Sequence, residues 1–119
     1  MDLIIGGAFQ GKLDYARKTF DLREEDIYTC TPEAEPDWKA RCLCRLEEYV
    51  LYCVRRGLPC EMRHRSDAVL IGRDVFCGVV PIDPVERLWR EETGRCYSRL
   101  SREADTVTRL FCGLPQKLK

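Results

Sequence analysis

Apolar residues along this chain fall into short runs broken by glycine and proline, with longer amphipathic stretches between them. Residues 2–5 form a brief apolar run closed by Gly6-Gly7, the pattern of a buried strand ending in a turn. Over residues 11–20, Leu13, Ala16 and Phe20 recur at i, i+3 and i+7, which predicts a helix. Residues 26–30 predict a second strand. Thr31-Pro32-Glu33-Ala34-Glu35-Pro36 predicts a loop, held out of helix by its two prolines. Asp37 is a good N-cap and Gly57 a good stop, so the spacing predicts one long helix between them. Its stripe is Leu43, Leu46, Val50 and Val54, with Cys42, Tyr49 and Cys53 beside it. Lys39, Arg41, Arg45, Glu47, Glu48, Arg55 and Arg56 mostly take the other side.

Leu58-Pro59 breaks the chain, and the apolar run at 67–72 predicts a central parallel strand. A loop follows over 73–83. Asp83-Pro84 is an N-cap with proline at the first helical position, and the helix it starts runs to about residue 101, with Gly94 a weak point. Residues 106–112 predict a last strand, ended by Gly113-Leu114-Pro115 and a short polar tail. The order βαβαβαβ predicts an α/β sandwich around a mainly parallel sheet, in one domain over 1–119.

Charge narrows the partners. Lys plus Arg number 20 against 20 for Asp plus Glu, so no basic field gathers nucleic acid. No run approaches the roughly 20 apolar residues of a membrane span, and no secretory signal is present. The expectation is a soluble, cytoplasmic protein. The eight cysteines (Cys30, Cys42, Cys44, Cys53, Cys60, Cys77, Cys96, Cys112) contain no C-x-x-C pair, and the lone His64 has no partner histidine, which argues against zinc. They read as reduced thiols acting as small, mostly buried hydrophobes. On the predicted helix, Cys42 and Cys44 point away from each other.

The candidate chemistry lies in the first turn of the chain. Gly6-Gly7-Ala8-Phe9-Gln10-Gly11-Lys12-Leu13 has the spacing of the P-loop pattern G-x-x-x-x-G-K-[ST], except that Leu13 stands where the hydroxyl belongs. Backbone N–H groups from Gly6 to Gly11 can form an anion-binding nest, and Lys12 adds a point charge near the terminal phosphates. The missing hydroxyl is the one that ligates Mg²⁺, so no metal ligand is assigned here. The strand–glycine loop–helix context also aims a helix N-terminus at the anion. Arg87, Arg90 and Arg95 span two turns of the third helix. They are either contacts to substrate or phosphate, or a solvated face balanced by Glu86, Glu91 and Glu92. Trp38 and Trp89 have the size to stack on a ring, but both occupy helical positions where core packing is the commoner fate.

Two blocks of residues carry a family resemblance. One is the opening Gly6-Gly7-x-x-x-Gly11-Lys12. The other is Cys77-Gly78-Val79-Val80-Pro81, then Arg87, Arg90, Gly94-Arg95, Ala104-Asp105-x-Val107 and Gly113-Leu114-Pro115 with Leu118-Lys119. In this order they resemble the adenosylcobinamide kinase / adenosylcobinamide-phosphate guanylyltransferase family. That family carries G-G-x-x-S-G-K-S, then G-[IV]-V-P, an arginine-studded helix ending in G-R, and G-[LI]-P-x-x-L-K. The similarity covers residues 2–16 and 67–119. It implies a P-loop nucleoside-triphosphate fold, a three-layer α/β sandwich. It also implies GTP or ATP as bound nucleotide, Mg²⁺ at a weakened site, adenosylcobinamide as corrinoid substrate, and a homo-oligomer. The implied activity is phosphorylation of a corrinoid arm followed by guanylyl transfer through histidine, in cobalamin assembly.

The resemblance also implies roles for single residues. Lys12 and Asp74 are the candidate catalytic groups. Asp74, in Arg73-Asp74-Val75-Phe76, matches the glutamate of the family's N-E-V-G segment. Arg87, Arg90 and Arg95 border the nucleotide or corrinoid site. The family's members are longer, and the difference falls in the middle of the chain. His64-Arg65 mimics the family's His-Arg motif but precedes the 67–72 strand, so His64 reads as a surface-loop residue. The strand bearing the family's acidic metal anchor reads as deleted. Gln10 replaces a serine, and Tyr97 stands where the family has asparagine.

Overall fold

The computed structural model describes residues 1–75 and 80–119. Its elements are β1 (Asp2–Gly6), α1 (Lys12–Phe20), β2 (Ile27–Thr29), β3 (Cys42–Cys44), α2 (Leu46–Arg56), β4 (Val69–Arg73), α3 (Pro84–Glu103), β5 (Thr106–Phe111) and β6 (Leu114–Lys117). The strands make one sheet in the order β2-β3-β4-β1-β5-β6. All neighbours are parallel except the β5–β6 hairpin.

Register decides what each strand residue buries. Leu3 lies between Leu70 and Val107, and Ile4 between Ile71 and Thr108. Successive side chains point to opposite faces. Leu3, Leu43, Leu70 and Val107 therefore meet Leu46, Val50 and Cys53 of α2 and Cys96 and Leu100 of α3 on one face. Ile4, Cys42, Cys44, Val69, Ile71 and Leu110 meet Ala16 of α1 on the other. The mainly parallel α/β sandwich expected from the element order is present, with a helical layer on each face.

The long helix expected between Asp37 and Gly57 is not one helix. Residues 42–44 form β3, inserted between β2 and β4, and the helix begins only at Leu46. Arg45 breaks the two apart in the left-handed region at φ 57. The sheet supplies the reason. Cys42, Leu43 and Cys44 are all buried, and full burial of a side chain such as Leu43 contributes about 2 kcal/mol, far more than helix propensity separates these residues. Consequently Cys42 and Cys44, two apart on a strand, share a face rather than diverging. Glu47 is also misplaced by the helical reading: it is buried, not solvated.

The chain end differs as well. Cys112 (φ 51) and Gly113 (φ 75) form a tight turn with both residues left-handed, the geometry that matches hairpin twist. Residues 114–117, expected as a strand stop and the start of a polar tail, are the edge strand β6. Leu118 N–H then donates to Val107 O at 2.8 Å, and Lys119 Nζ donates to the Arg102 carbonyl at 3.0 Å, at the C-terminal end of α3 where a cation is favoured. α3 starts as expected, with Asp83 Oδ1 accepting from Val85 N–H at 3.0 Å, and it runs through Gly94 without a break. Among the described residues, no helix is long and apolar enough to cross a membrane. The Cys77-Gly78-Val79 part of the motif lies outside the described residues.

Candidate functional site

Parallel strands bring their C-terminal ends to one edge of the sheet, where ligands of open α/β sheets bind. The loop after β1 lies there, joined by the ends of β3 and β4 and the first turn of α2. Gly6 is forced by packing, since a Cβ there would lie 2.6 Å from the Leu110 carbonyl oxygen of β5. Gly6 O in turn accepts Asp74 N–H at 2.9 Å, tying the loop to the segment after β4. Gly11 is left-handed at φ 82 and opens α1 with no side-chain cap. The first N–H groups of that helix therefore face the loop without a side-chain acceptor from Gly11. Phe9 is also left-handed, at φ 59, and fully exposed. A bulky residue held there costs about 1 kcal/mol. Gln10 Oε1 accepts Cys112 N–H, which anchors the loop to the β5–β6 turn.

These elements enclose a cleft of about 400 Å³. Ala8, Phe9, Gln10, Gly11 and Lys12 form one wall, with Leu13 and Asp14 of α1. Cys44, Arg45, Glu47, Glu48, Ile71 and Arg73 form the other. Gly7 stands beside it, its carbonyl accepting from Lys12 Nζ at 2.6 Å. Burial lowers the Lys12 pKa below the ordinary 10.5; the Glu47 carboxylate opposes that shift, and the Arg73 guanidinium adds to it. Glu47 is 3 % exposed, and its Oε1 accepts Arg73 N–H at 2.8 Å. Its carbonyl accepts the Trp89 indole N–H at 2.7 Å. Glu48 has its pKa raised, by burial first and then by the neighbouring Glu47 charge.

Next to this cleft, Ala8, Arg73, Asp74, Val75, Glu86, Trp89 and Arg90 line a groove of about 320 Å³. The structure thus brings Lys12, Asp74 and Arg90 around one loop. Arg87 is exposed outside both hollows, and Arg95 is ion-paired with Glu92 at 2.5 Å on the flank of α3. His64 lies in the segment leading into β4, at the opposite edge of the sheet from the loop. Its Nδ1 hydrogen-bonds the Arg65 carbonyl at 2.8 Å, in keeping with a surface-loop histidine. Trp38 packs edge-to-face on Tyr49 at 5.0 Å, while Trp89 donates its indole N–H to α2 and also lines the groove.

Glu47, Glu48 and Arg73 escaped the sequence reading. For Glu47 and Glu48 the missing signal was β3, after which the first turn of α2 faces the glycine loop; Arg73 ends β4 beside Gly6, one residue beyond the strand expected at 67–72. A divalent ion carried by a nucleotide needs oxygen donors in near-octahedral array. Leu13 offers hydrocarbon, and Glu47 has one oxygen committed to Arg73. Among the described residues, no group of three or more acidic, histidine or cysteine side chains is arranged for a metal. At the loop itself the hydroxyl that would hold a nucleotide's Mg²⁺ is replaced by hydrocarbon, while the Asp14 and Glu48 carboxylates line the cleft. The described thiols are all free, and five of the seven are buried.

No curated protein matches this chain. A family model does: the one described as cobinamide kinase / cobinamide phosphate guanyltransferase, over residues 36–118. The match starts beyond the glycine loop and takes in β3, Glu47, Arg73, Asp74, α3 and the terminal hairpin. It covers more than half of the chain, including the whole far wall of the cleft, and the chain therefore belongs to the cobinamide kinase / cobinamide phosphate guanyltransferase family.

Proposed function

We propose that this chain is a nucleotide-binding member of its family, acting in cobalamin biosynthesis, with a P-loop at Gly6–Lys12 that takes the phosphates of GTP or ATP. One observation carries the reading. The G-x-x-x-x-G-K spacing stands at the C-terminal edge of a parallel sheet, opens a helix, and faces a cleft into which Lys12 is drawn. Backbone N–H groups, the helix N-terminus and a cation are the parts an anion site requires. The adjoining groove with Asp74, Trp89 and Arg90 is the place for a second ligand, a corrinoid such as adenosylcobinamide, with Arg87 before it and Arg95 after it on α3. By resemblance the protein works in the cytoplasm as a homo-oligomer.

Binding is better supported than transfer. Phosphoryl transfer depends on neutralising charge at the terminal phosphate, with a metal as a main agent, and Leu13 removes one ligand for it. Guanylyl transfer needs a nucleophilic histidine at the nucleotide, and His64, the chain's single histidine, sits at the other edge of the sheet. A non-catalytic binding or regulatory role is the reading these two observations favour. Lys12 and Asp74 then act as binding groups rather than catalysts.

The test is a thermal melt with GTP or ATP. A ligand at about ten times its dissociation constant stabilises by about 1.4 kcal/mol, a rise of about 4 °C or more for a domain of this size. Lys12→Ala should remove the rise. No rise at millimolar nucleotide would overturn the reading. Labelled GTP should leave no acid-labile adduct; an adduct removed by His64→Ala would show that transfer survives.

A further inference from the structure

The cleft holds a second cation that the glycine-loop pattern does not call for. Arg73 ends β4 and lines the wall facing Lys12. Its peptide is held from both sides: Glu47 Oε1 accepts its N–H at 2.8 Å, and its carbonyl accepts the Tyr97 hydroxyl at 2.9 Å. Among the described residues, neither Lys12 nor Arg73 forms an ion pair. Two cations that face one cleft repel each other, and the buried Glu47 charge, on the same wall as Arg73, offsets that repulsion at Lys12.

Three departures from the family motifs meet here. Leu13 replaces the hydroxyl, Arg73 stands at the asparagine of N-E-V-G, and Tyr97 stands at another asparagine. Leu13 and Arg73 line the same cleft, while Tyr97 bonds to Arg73. A metal-binding oxygen is lost where a fixed positive charge and its support are gained. A guanidinium matches phosphate oxygens in a bidentate fork, so it can supply charge that Mg²⁺ otherwise brings with a nucleotide.

We propose that Arg73, positioned by Glu47 and Tyr97, is a second phosphate-binding cation, and that with Lys12 it takes the polyphosphate of a nucleotide free of Mg²⁺. This rests on the nucleotide-binding reading above and adds the form of the ligand. The same chemistry admits a bare inorganic triphosphate, which lacks the base and sugar.

Titration calorimetry on the full chain, with GTP, ATP and inorganic triphosphate, in EDTA and then in Mg²⁺, tests it. Wild-type affinity for the nucleotide should be as high in EDTA as in Mg²⁺, or higher. Arg73→Gln should weaken binding in EDTA about tenfold, the scale of one charged hydrogen bond, with Arg73→Lys recovering part of the loss. The double variant Leu13→Ser/Arg73→Asn should bind more tightly in Mg²⁺ than in EDTA. Melting curves of each variant without ligand establish that it is folded. Nucleotide binding that is lost in EDTA, or an Arg73→Gln protein that binds like wild type, would overturn the proposal while leaving the nucleotide reading intact. No binding under either condition would overturn both. Equal affinity for inorganic triphosphate and GTP would assign the site to the phosphates alone, and tighter GTP would assign it to the nucleotide; both support Arg73 as the second cation.

Discussion

The Glu47 carboxylate accepts the backbone N–H of Arg73 at 2.8 Å, from a position 26 residues earlier in the chain. This bond joins the first turn of α2 to the end of β4, the two elements that form the cleft wall opposite Lys12. It gives a charged side chain a structural reason to be buried, since buried polar groups are retained where they satisfy a backbone donor.

Removing that acceptor has a predictable cost. Glu47→Ala leaves the Arg73 N–H unpaired in a buried place and should lower the unfolding free energy by about 2 kcal/mol. Glu47→Gln keeps an acceptor oxygen and should lose less than half as much. Denaturant melts of the two variants check this; equal losses would mean that the acceptor is not what Glu47 contributes.

Tyr97 and Gly72 form a second close pair. A Cβ at Gly72 would overlap the Tyr97 phenol, which is buried and bonded to the Arg73 carbonyl. Gly72→Ala should therefore destabilise by about 1–3 kcal/mol through overpacking. Combining it with Tyr97→Leu should cost less than the sum of the two single changes, because the clash and the ring are removed together. Additive losses would contradict a direct clash.

The lowered Lys12 pKa sets a pH dependence for anion binding. Burial disfavours the charged ammonium, so in the folded protein it deprotonates below the ordinary 10.5. Phosphate requires the protonated form. Nucleotide affinity should therefore be retained at neutral pH and fall on the alkaline side, with a midpoint below 10.5. The stability of the free protein should move oppositely. The unfolded chain keeps the proton to higher pH, so stability rises between the folded and unfolded midpoints. Lys12→Arg should abolish the alkaline fall in affinity. A midpoint at or above that of an ordinary lysine would contradict the burial account.

The thiols should report the fold. Burial pushes the Cys30 and Cys42 pKa values up to about 12, which keeps them as unreactive thiols. Among the described cysteines, Cys112 is exposed at the hairpin turn. Brief alkylation followed by mass spectrometry should modify Cys112 well before Cys30 or Cys42. Early labelling of Cys42 would argue against a β3 packed in the sheet.

What the chain disclosed beforehand depended on which signals were local. The turn after β1 was legible because glycines at 6, 7 and 11 and the lysine at 12 form a fixed pattern. Asp83-Pro84 announced α3 in the same way. β3 was illegible because Cys-Leu-Cys is too short to show a period of two, and its apolar positions also fit the stripe of the helix that follows. Arg45 gave no warning, since a left-handed arginine carries no sequence mark. β6 was hidden by Pro115 and by polar neighbours, which an exposed edge strand tolerates. Glu47 looked solvated because helical spacing alone cannot tell a helix start that faces a cleft from one that faces water. The position of Lys12 after β1 was therefore legible in the sequence, while that of Glu47 and Glu48 needed β3.

The most direct measurement is a crystal structure of the protein with GTP bound in EDTA. Phosphate oxygens should lie within hydrogen-bond reach of the 7–12 backbone N–H groups, with Lys12 on one side and the Arg73 guanidinium on the other. A nucleotide seated along α3 near Arg95, with no phosphate in the Gly6–Lys12 loop, would contradict this placement.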